Sequence, residues 1–158
     1  MRNKMLCGVF ILMSYCCALC GNVVFGGEKG RIHFSLAEAV KRPDGPLLLV
    51  FFSLDCHVCW EDLIELEYFV EKNSIPIEFI GVTKNPLAEL EEFLDKYSLN
   101  CPVVCDRRKE LYRRFKVKLE PEVVILKNDA VVYQDNGYEE FLARREKVKK
   151  CLLEIASK

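Results

Sequence analysis

A continuous apolar run that ends in two closely spaced cysteines is the feature that most constrains how this chain folds. The run spans 47–52 and is followed by Cys56-His57-Val58-Cys59 and then by a helical pattern. Such a run is typical of a central strand that is buried on both faces. The N-terminus of the following helix would stabilise a thiolate on Cys56, and Cys59 lies one turn later, where it can resolve a mixed disulfide. The sequence therefore predicts thiol chemistry at the end of a buried strand.

The N-terminal 20 residues have the pattern of an export signal. Arg2 and Lys4 form a short positive region, and no charged residue stands in the next twenty positions, which are mostly apolar. We predict a signal peptide over 1–20, a linker over 21–30 and one folded domain over 31–158. Export implies that the domain acts in the periplasm.

Two alternatives to a cleaved signal stay open. Residues 23–25 extend the apolar span to about the 20 residues that a membrane helix needs, so the leader also fits a membrane anchor. Lipid attachment at Cys16, Cys17 or Cys20 is the other alternative. Both alternatives keep the prediction of export and change only how the protein is retained.

The composition excludes several classes of protein. The chain of 158 residues is 51% hydrophobic and 30% charged, with a formal net charge of −1. This composition is that of a globular domain long enough to bury a full core, and we expect a monomer. Because the chain has no basic block, we expect no nucleic-acid partner.

The cysteines outside the leader are too few for a disulfide scaffold. Five remain after 1–20, namely Cys56, Cys59, Cys101, Cys105 and Cys151. An odd number leaves at least one thiol without a partner in the chain, and we predict that the last three are free packing thiols. A Cys101–Cys105 disulfide is the alternative. Four cysteines, namely Cys56, Cys59, Cys101 and Cys105, would be enough ligands for a tetrahedral zinc site, but we predict no metal.

The alternation of strand and helix patterns predicts an α/β sandwich with a central mixed sheet and flanking helices. An antiparallel hairpin follows the parallel strands, with its turn at Asn128-Asp129. The predicted strands span 31–34, 47–53, 76–83, 102–104, 122–127 and 130–134, and the predicted helices span 35–41, 57–72, 86–97, 107–115 and 139–156.

Three blocks carry a resemblance to a known family. They read LLLVFFSLDCHVCWEDL, IEFIGVTKNPLAELEEFLDKYSLNCPVVCD and ELYRRFKVKLEPEVVILKNDAVVY. They resemble the thioredoxin superfamily, above all its exported TlpA/ResA and Dsb types of thiol-disulfide oxidoreductase, over about residues 31–156. The resemblance implies a thioredoxin-like three-layer sandwich with an inserted βα unit.

The resemblance also implies roles for individual residues. By position, Cys56 matches the attacking cysteine, Cys59 the resolving one, and Pro121 the cis-proline that docks the substrate. The backbone of Glu120 would then pair with an extended substrate segment. Asp62, one turn after Cys59, matches an acidic residue that carries protons during the reaction.

The chain departs from that family in residues around the cysteines. Val50 replaces the buried Asp of thioredoxin, and Asp55 replaces the usual aromatic residue before the first cysteine. Asp55 opposes ionisation of Cys56, whereas a protonated His57 favours it, so both are predicted to tune the redox chemistry. Glu120 adds negative charge where substrate docks, and Trp60 is predicted to lie at the rim of that surface.

Together these features predict an enzyme that reduces disulfides in exported proteins, with electrons from a membrane thiol carrier of the DsbD type. We expect no cofactor other than the Cys56–Cys59 disulfide itself. The alternatives are a disulfide oxidant or isomerase, a copper or zinc chaperone that uses Cys56, His57 and Cys59 as ligands, and a peroxide-reducing enzyme. The sequence lacks the local motif around the peroxide-reducing cysteine.

Overall fold

The computed structural model describes residues 31–42, 44–135 and 140–157, with the side chain of Phe141 left out. The predicted signal peptide, the predicted linker and the first residue of the predicted last helix lie outside these ranges. In chain order the elements are β1 (Ile32–His33), α1 (Leu36–Ala39), β2 (Leu47–Phe51), α2 (His57–Lys72), β3 (Glu78–Thr83), α3 (Leu87–Lys96), β4 (Val103–Cys105), α4 (Glu110–Arg114), β5 (Glu122–Lys127), β6 (Ala130–Gln134) and α5 (Phe141–Ala156).

A six-stranded mixed sheet lies at the centre of the domain, in the order β1-β4-β3-β2-β5-β6. The first four strands in this order are parallel, β5 pairs antiparallel with β2, and β6 pairs antiparallel with β5 at the edge of the sheet. Strand β2 pairs with both β3 and β5, so that Leu49 lies opposite Ile80 on one side and Val124 on the other. The predicted α/β sandwich is confirmed.

Strand β2 contributes to two apolar cores, one on each face of the sheet. Leu48 and Val50 pack in the larger core with residues of α2, α3 and α5. Leu49 and Phe51 pack in the smaller core with residues of α1 and α4. All five residues of β2 are buried, which explains why the sequence shows a continuous apolar run rather than an alternating one. The strand that leads to the two cysteines is therefore held on both faces.

Most helices and strands begin and end within two residues of the predicted positions. Helix α2 spans the predicted residues, and the hairpin turn has positive φ angles of 51° at Asn128 and 59° at Asp129. Two successive residues with positive φ are the mark of a tight hairpin turn, which Asn and Asp tolerate well. Most other ends differ from the prediction by one or two residues.

Helix α4 begins later than the sequence predicted. It starts at Glu110 rather than Arg107, because the carboxylate of Asp106 accepts hydrogen bonds from the backbone N–H groups of Glu110, Leu111 and Tyr112. A side-chain cap of this kind fixes where a helix starts. Within the described ranges, no helix is long and apolar enough to cross a membrane.

Candidate active site

The two cysteines predicted to be redox-active are joined by a disulfide just after β2. Cys56 is the N-cap of α2, and its Sγ lies 3.3 Å from the backbone nitrogen of Cys59. Cys59 is fully buried, whereas Cys56 is partly exposed. An N–H group at a helix N-terminus stabilises a thiolate on the sulfur that it contacts. Cys56 is therefore the sulfur of the pair that is partly open to solvent and contacts the helix N-terminus, whereas Cys59 lies in the core.

The segment predicted to hold a cis-proline lies beside the sulfur of Cys56. The Glu120–Pro121 peptide bond is cis, and the carbonyl oxygen of Glu120 lies 3.9 Å from Cys56 Sγ. The antiparallel pairing of β2 with β5 causes this approach, since Phe51 lies opposite Glu122. The register thus brings together two segments that are 64 residues apart in the sequence.

Asp62 is a buried carboxylate with two arginine partners. It lies on α2 one turn after Cys59 and is 1% exposed. One of its oxygens pairs with a terminal nitrogen of Arg144, and the other lies 2.9 Å from Nε of Arg145. Burial raises the pKa of the Asp62 carboxyl, and the two arginines oppose that rise. A buried carboxylate with a raised pKa takes up a proton more readily than an exposed one.

Arg144 connects three parts of the site. Its Nη1 donates a hydrogen bond of 2.8 Å to the carbonyl oxygen of Pro121, and its Nε lies 3.5 Å from a carboxylate oxygen of Asp135. Together with the pair to Asp62, these contacts join α2, the cis-proline and the end of β6. The guanidinium fixes the proline relative to the helix that carries both cysteines, because it contacts both.

The sequence gives no signal for the roles of Arg144 and Arg145. Both lie on α5, more than 80 residues from Asp62. Helix α5 contains many charged residues, so nothing in the sequence distinguishes Arg144 and Arg145 from arginines that face solvent. The burial of Asp62, which the structure shows, is what requires a cation nearby, since a buried charge needs a partner.

The negative charge predicted for Glu120 is balanced in the folded protein. The phenol of Tyr112 donates a hydrogen bond to the Glu120 carboxylate, and Nζ of Lys84 lies 3.1 Å from it. Burial and the neighbouring Glu120 raise the pKa of Tyr112, so that this phenol stays a donor. The surface around Glu120 is thus less acidic than the sequence suggested.

Of the remaining predicted site residues, Asp55 and His57 are exposed and Trp60 is half-buried. The ring of His57 packs on Trp60 with centroids 4.3 Å apart, and its Nδ1 lies 3.2 Å from a carboxylate oxygen of Glu61. Trp60 packs in turn on Tyr97, at a centroid distance of 4.8 Å. Trp60 is half-buried and packs against the larger core, and Asp55 is exposed.

Asn85, which the sequence did not single out, supports the loop before Cys56. Its side-chain oxygen accepts hydrogen bonds from the backbone N–H of Leu54 at 3.1 Å and from the hydroxyl of Thr83 at 2.9 Å. Asn85 lies two residues after the end of β3, and the carboxyl ends of neighbouring parallel strands meet at one edge of the sheet. This bond holds the segment between β2 and the cysteines.

Cys101 and Cys105 are free thiols, as predicted. Cys101 and Cys105 are buried and Cys151 is partly exposed. Burial raises the pKa values of the Cys101 and Cys105 thiols, which keeps them protonated and unreactive. In the part of the chain that the structure describes, no group of three or more His, Cys, Asp or Glu side chains is arranged to hold a metal ion.

A dithiol pair that starts a helix after a central strand and faces a cis-proline defines a thiol-disulfide oxidoreductase. The chain belongs to the AhpC/TSA family, whose model matches residues 27–137. No curated protein matches the chain at a significant level.

Solved structures with the same fold include both disulfide-reacting and peroxide-reacting proteins. An uncharacterized thioredoxin-like protein from Porphyromonas gingivalis is 20% identical, covering 76% of this chain and 81% of its own, with a TM-score of 0.63. A secreted disulfide oxidoreductase of Mycobacterium tuberculosis, described as homologous to DsbE of E. coli, is 18% identical, covering 70% and 81%, with a TM-score of 0.57. Peroxiredoxin Q of Xanthomonas campestris is 17% identical, covering 72% and 80%, with a TM-score of 0.63. These similarities show a thioredoxin-like fold.

Proposed function

We propose that this protein is exported and reduces disulfide bonds in other exported proteins. The observation that carries the proposal is the Cys56–Cys59 pair, whose more exposed sulfur lies 3.9 Å from the backbone oxygen before the cis-proline. An extended substrate segment that pairs with the backbone at Glu120 would bring its own disulfide to Cys56.

The reaction proceeds by two thiol-disulfide exchanges. The Cys56 thiolate attacks one sulfur of the substrate disulfide, which forms a mixed disulfide and releases the other substrate sulfur as a thiolate. The Cys59 thiolate then attacks Cys56 Sγ, which forms the intramolecular disulfide and releases the second substrate thiolate. The substrate gains two electrons and the protein loses two. A membrane dithiol carrier of the DsbD type would return the protein to its reduced state.

Asp62 is proposed to accept the proton of Cys59 in the second exchange. The two residues are one helical turn apart on the buried side of α2, and side chains at this spacing are neighbours. Cys59 is fully buried, so its thiol needs a base inside the protein. Asp55 and His57, which lie outside on the rim, are proposed to tune the ionisation of Cys56.

Export is supported by the leader composition and by one relative of the same fold. The first 20 residues carry a positive start and an apolar run, and the M. tuberculosis protein is described as secreted. A protein that works outside the cytoplasm meets disulfides in its substrates. The periplasm is therefore the proposed compartment.

Insulin reduction and the reduction potential test the proposed activity together. We expect the protein to catalyse insulin reduction by dithiothreitol, with a Cys56–Cys59 potential nearer the approximately −270 mV of thioredoxin than the approximately −120 mV of DsbA. A potential near the DsbA value would make the protein an oxidant or isomerase. No turnover of insulin or of any peptide disulfide would contradict the proposal altogether.

Replacing Asp62 tests the proton-transfer step. We expect Asp62→Asn to slow the release of reduced substrate by about 10- to 100-fold near pH 7, because an amide accepts no proton. The loss should shrink as the pH rises, because a thiol needs less help from a base to ionise at higher pH. Asp62→Glu, which keeps a carboxylate, should retain most of the activity. A uniform loss at every pH would indicate a structural role instead.

Peroxide reduction is the second candidate, and the family itself favours it. The chain belongs to the AhpC/TSA family and shares its fold with peroxiredoxin Q. Against it stands the pairing of Cys56 with a cysteine only one turn away, which suits disulfide exchange. Consumption of hydrogen peroxide by the reduced protein, at a rate above its insulin reduction, would favour this candidate. The metal-chaperone alternative requires stoichiometric copper or zinc in protein purified without chelator.

A further inference from the structure

A cavity with many positive charges opens beside the cis-proline loop. Its volume is about 520 Å³, and its charged lining consists of Lys84, Lys109, Arg113, Lys116, Lys118 and Glu120. Five cations therefore surround one carboxylate, in a chain whose formal net charge is only −1. A cleft lined by one sign of charge concentrates ligands of the opposite sign.

Most of these cations are available to a ligand. Lys84 is paired with Glu120, but the other four form no ion pair with any residue in the described ranges. All four are exposed. Their charges are thus directed at solvent rather than at other parts of the protein.

The backbone that carries the cations is held in place. Lys109 and Lys116 lie at the two ends of α4 in the left-handed region, with φ angles of 56° and 55°. The N–H of Val117 donates a hydrogen bond of 2.9 Å to the carbonyl of Tyr112, and the side chain of Gln134 donates one of 2.7 Å to the carbonyl of Phe115. These hydrogen bonds fix the backbone around the cavity, so the cavity is part of the folded structure.

Glu120 links the cavity to the reacting sulfur. Its carbonyl oxygen lies 3.9 Å from Cys56 Sγ, while its carboxylate lies in the cavity wall between Lys84 and Tyr112. A substrate segment that pairs with the backbone at Glu120 would place the residues near its own cysteine over the cavity.

We propose that this cavity binds acidic side chains of the substrate polypeptide, and that the protein therefore prefers disulfides in acidic segments. The inference rests on the proposed function, because it assigns a specificity site to the same reaction. Flexible exposed lysines suit carboxylates on a polypeptide, whereas a tight site for a small oxyanion uses backbone N–H donors. The position of the cavity next to the docking backbone also favours a polypeptide.

The test compares two peptides that share one disulfide. One carries Asp and Glu on both sides of the cysteine, and the other carries Asn and Gln at the same positions. We expect wild-type protein to reduce the acidic peptide with a kcat/KM roughly tenfold higher at low salt, and the ratio to approach one at about 1 M salt. In the double variant Lys116→Gln/Lys118→Gln the ratio should fall to about twofold or less.

A matched control removes two charges far from the cavity. Lys127→Gln/Lys150→Gln changes two exposed lysines and should keep the wild-type ratio. Equal rates for the two peptides with wild-type protein would overturn the inference while leaving the proposed function intact, since both peptides would still be reduced. Reduction of neither peptide would overturn both. Competitive inhibition by micromolar inorganic phosphate or citrate would assign the cavity to a small anion and overturn the polypeptide proposal.

Discussion

Replacing Cys56 with serine is expected to lower the rate of insulin reduction by more than about 1,000-fold. The hydroxyl of serine does not ionise near neutral pH, and its oxygen cannot form the mixed disulfide. Cys56 is also the only sulfur of the pair that is partly exposed, because Cys59 is fully buried. The rate is measured as the turbidity that forms when reduced insulin chains precipitate.

Replacing Cys59 with serine should have a different result. The first exchange still occurs, but no thiolate is left to attack Cys56, so the mixed disulfide with substrate should accumulate. A non-reducing gel or intact-mass measurement would show this adduct, and dithiothreitol would release it. Trapping on Cys59 in the Cys56→Ser variant would contradict the assigned order of attack.

Cys151→Ser provides the control for both cysteine variants. Cys151 lies on α5, outside the Cys56–Cys59 disulfide. Its replacement should leave the rate within about twofold of the wild type, as for a substitution away from the reacting atoms. A loss comparable to that of Cys56→Ser would show that a thiol outside the pair takes part.

Replacing Arg144 with methionine is expected to lower the free energy of unfolding by about 3 kcal/mol or more. Arg144 is 3% exposed, pairs with the buried Asp62 and donates to the carbonyl of Pro121. Methionine fills similar space but leaves Asp62 with Arg145 alone, inside a region that water does not reach. Chemical denaturation monitored by the fluorescence of Trp60 measures the change.

Lys149→Met is the matched control on the same helix. Lys149 also joins α5 to α2, through an ion pair of 2.8 Å with Glu65, but this pair is much more exposed. An exposed pair contributes little, so we expect a loss of less than about 1 kcal/mol. Equal losses in the two variants would show that burial does not set the strength of the Asp62–Arg144 pair.

The features that the sequence predicted correctly depend on neighbouring residues. The continuous apolar run of β2, the helix that starts after Cys56, and the turn at Asn128-Asp129 each follow from the chemistry of a few adjacent side chains. The late start of α4 was missed, because Asp106 caps the helix from four residues before its first residue, and a carboxylate in that position is compatible with several helix starts.

The charge balance of the site could not be predicted in the same way. Asp62 and Glu120 were predicted as acidic residues near the cysteines, and both are there. Their partners Arg144, Arg145 and Lys84 come from other elements, and charge partners leave no periodic pattern in the sequence. The basic cavity could not be predicted for the same reason, because its cations lie at separate positions over 84–118 among other surface residues.

The buried strand, the two cysteines and the start of the helix behind them were determined by the sequence alone, because hydrophobic periodicity and helix capping act over a few residues. Only the tertiary structure decided that the backbone of Glu120 lies against Cys56, that two arginines pair with Asp62, and that positive charge gathers beside Glu120. These contacts join residues that are far apart along the chain. They exist because the pairing of β2 with β5 and the packing of α5 on α2 bring those residues together.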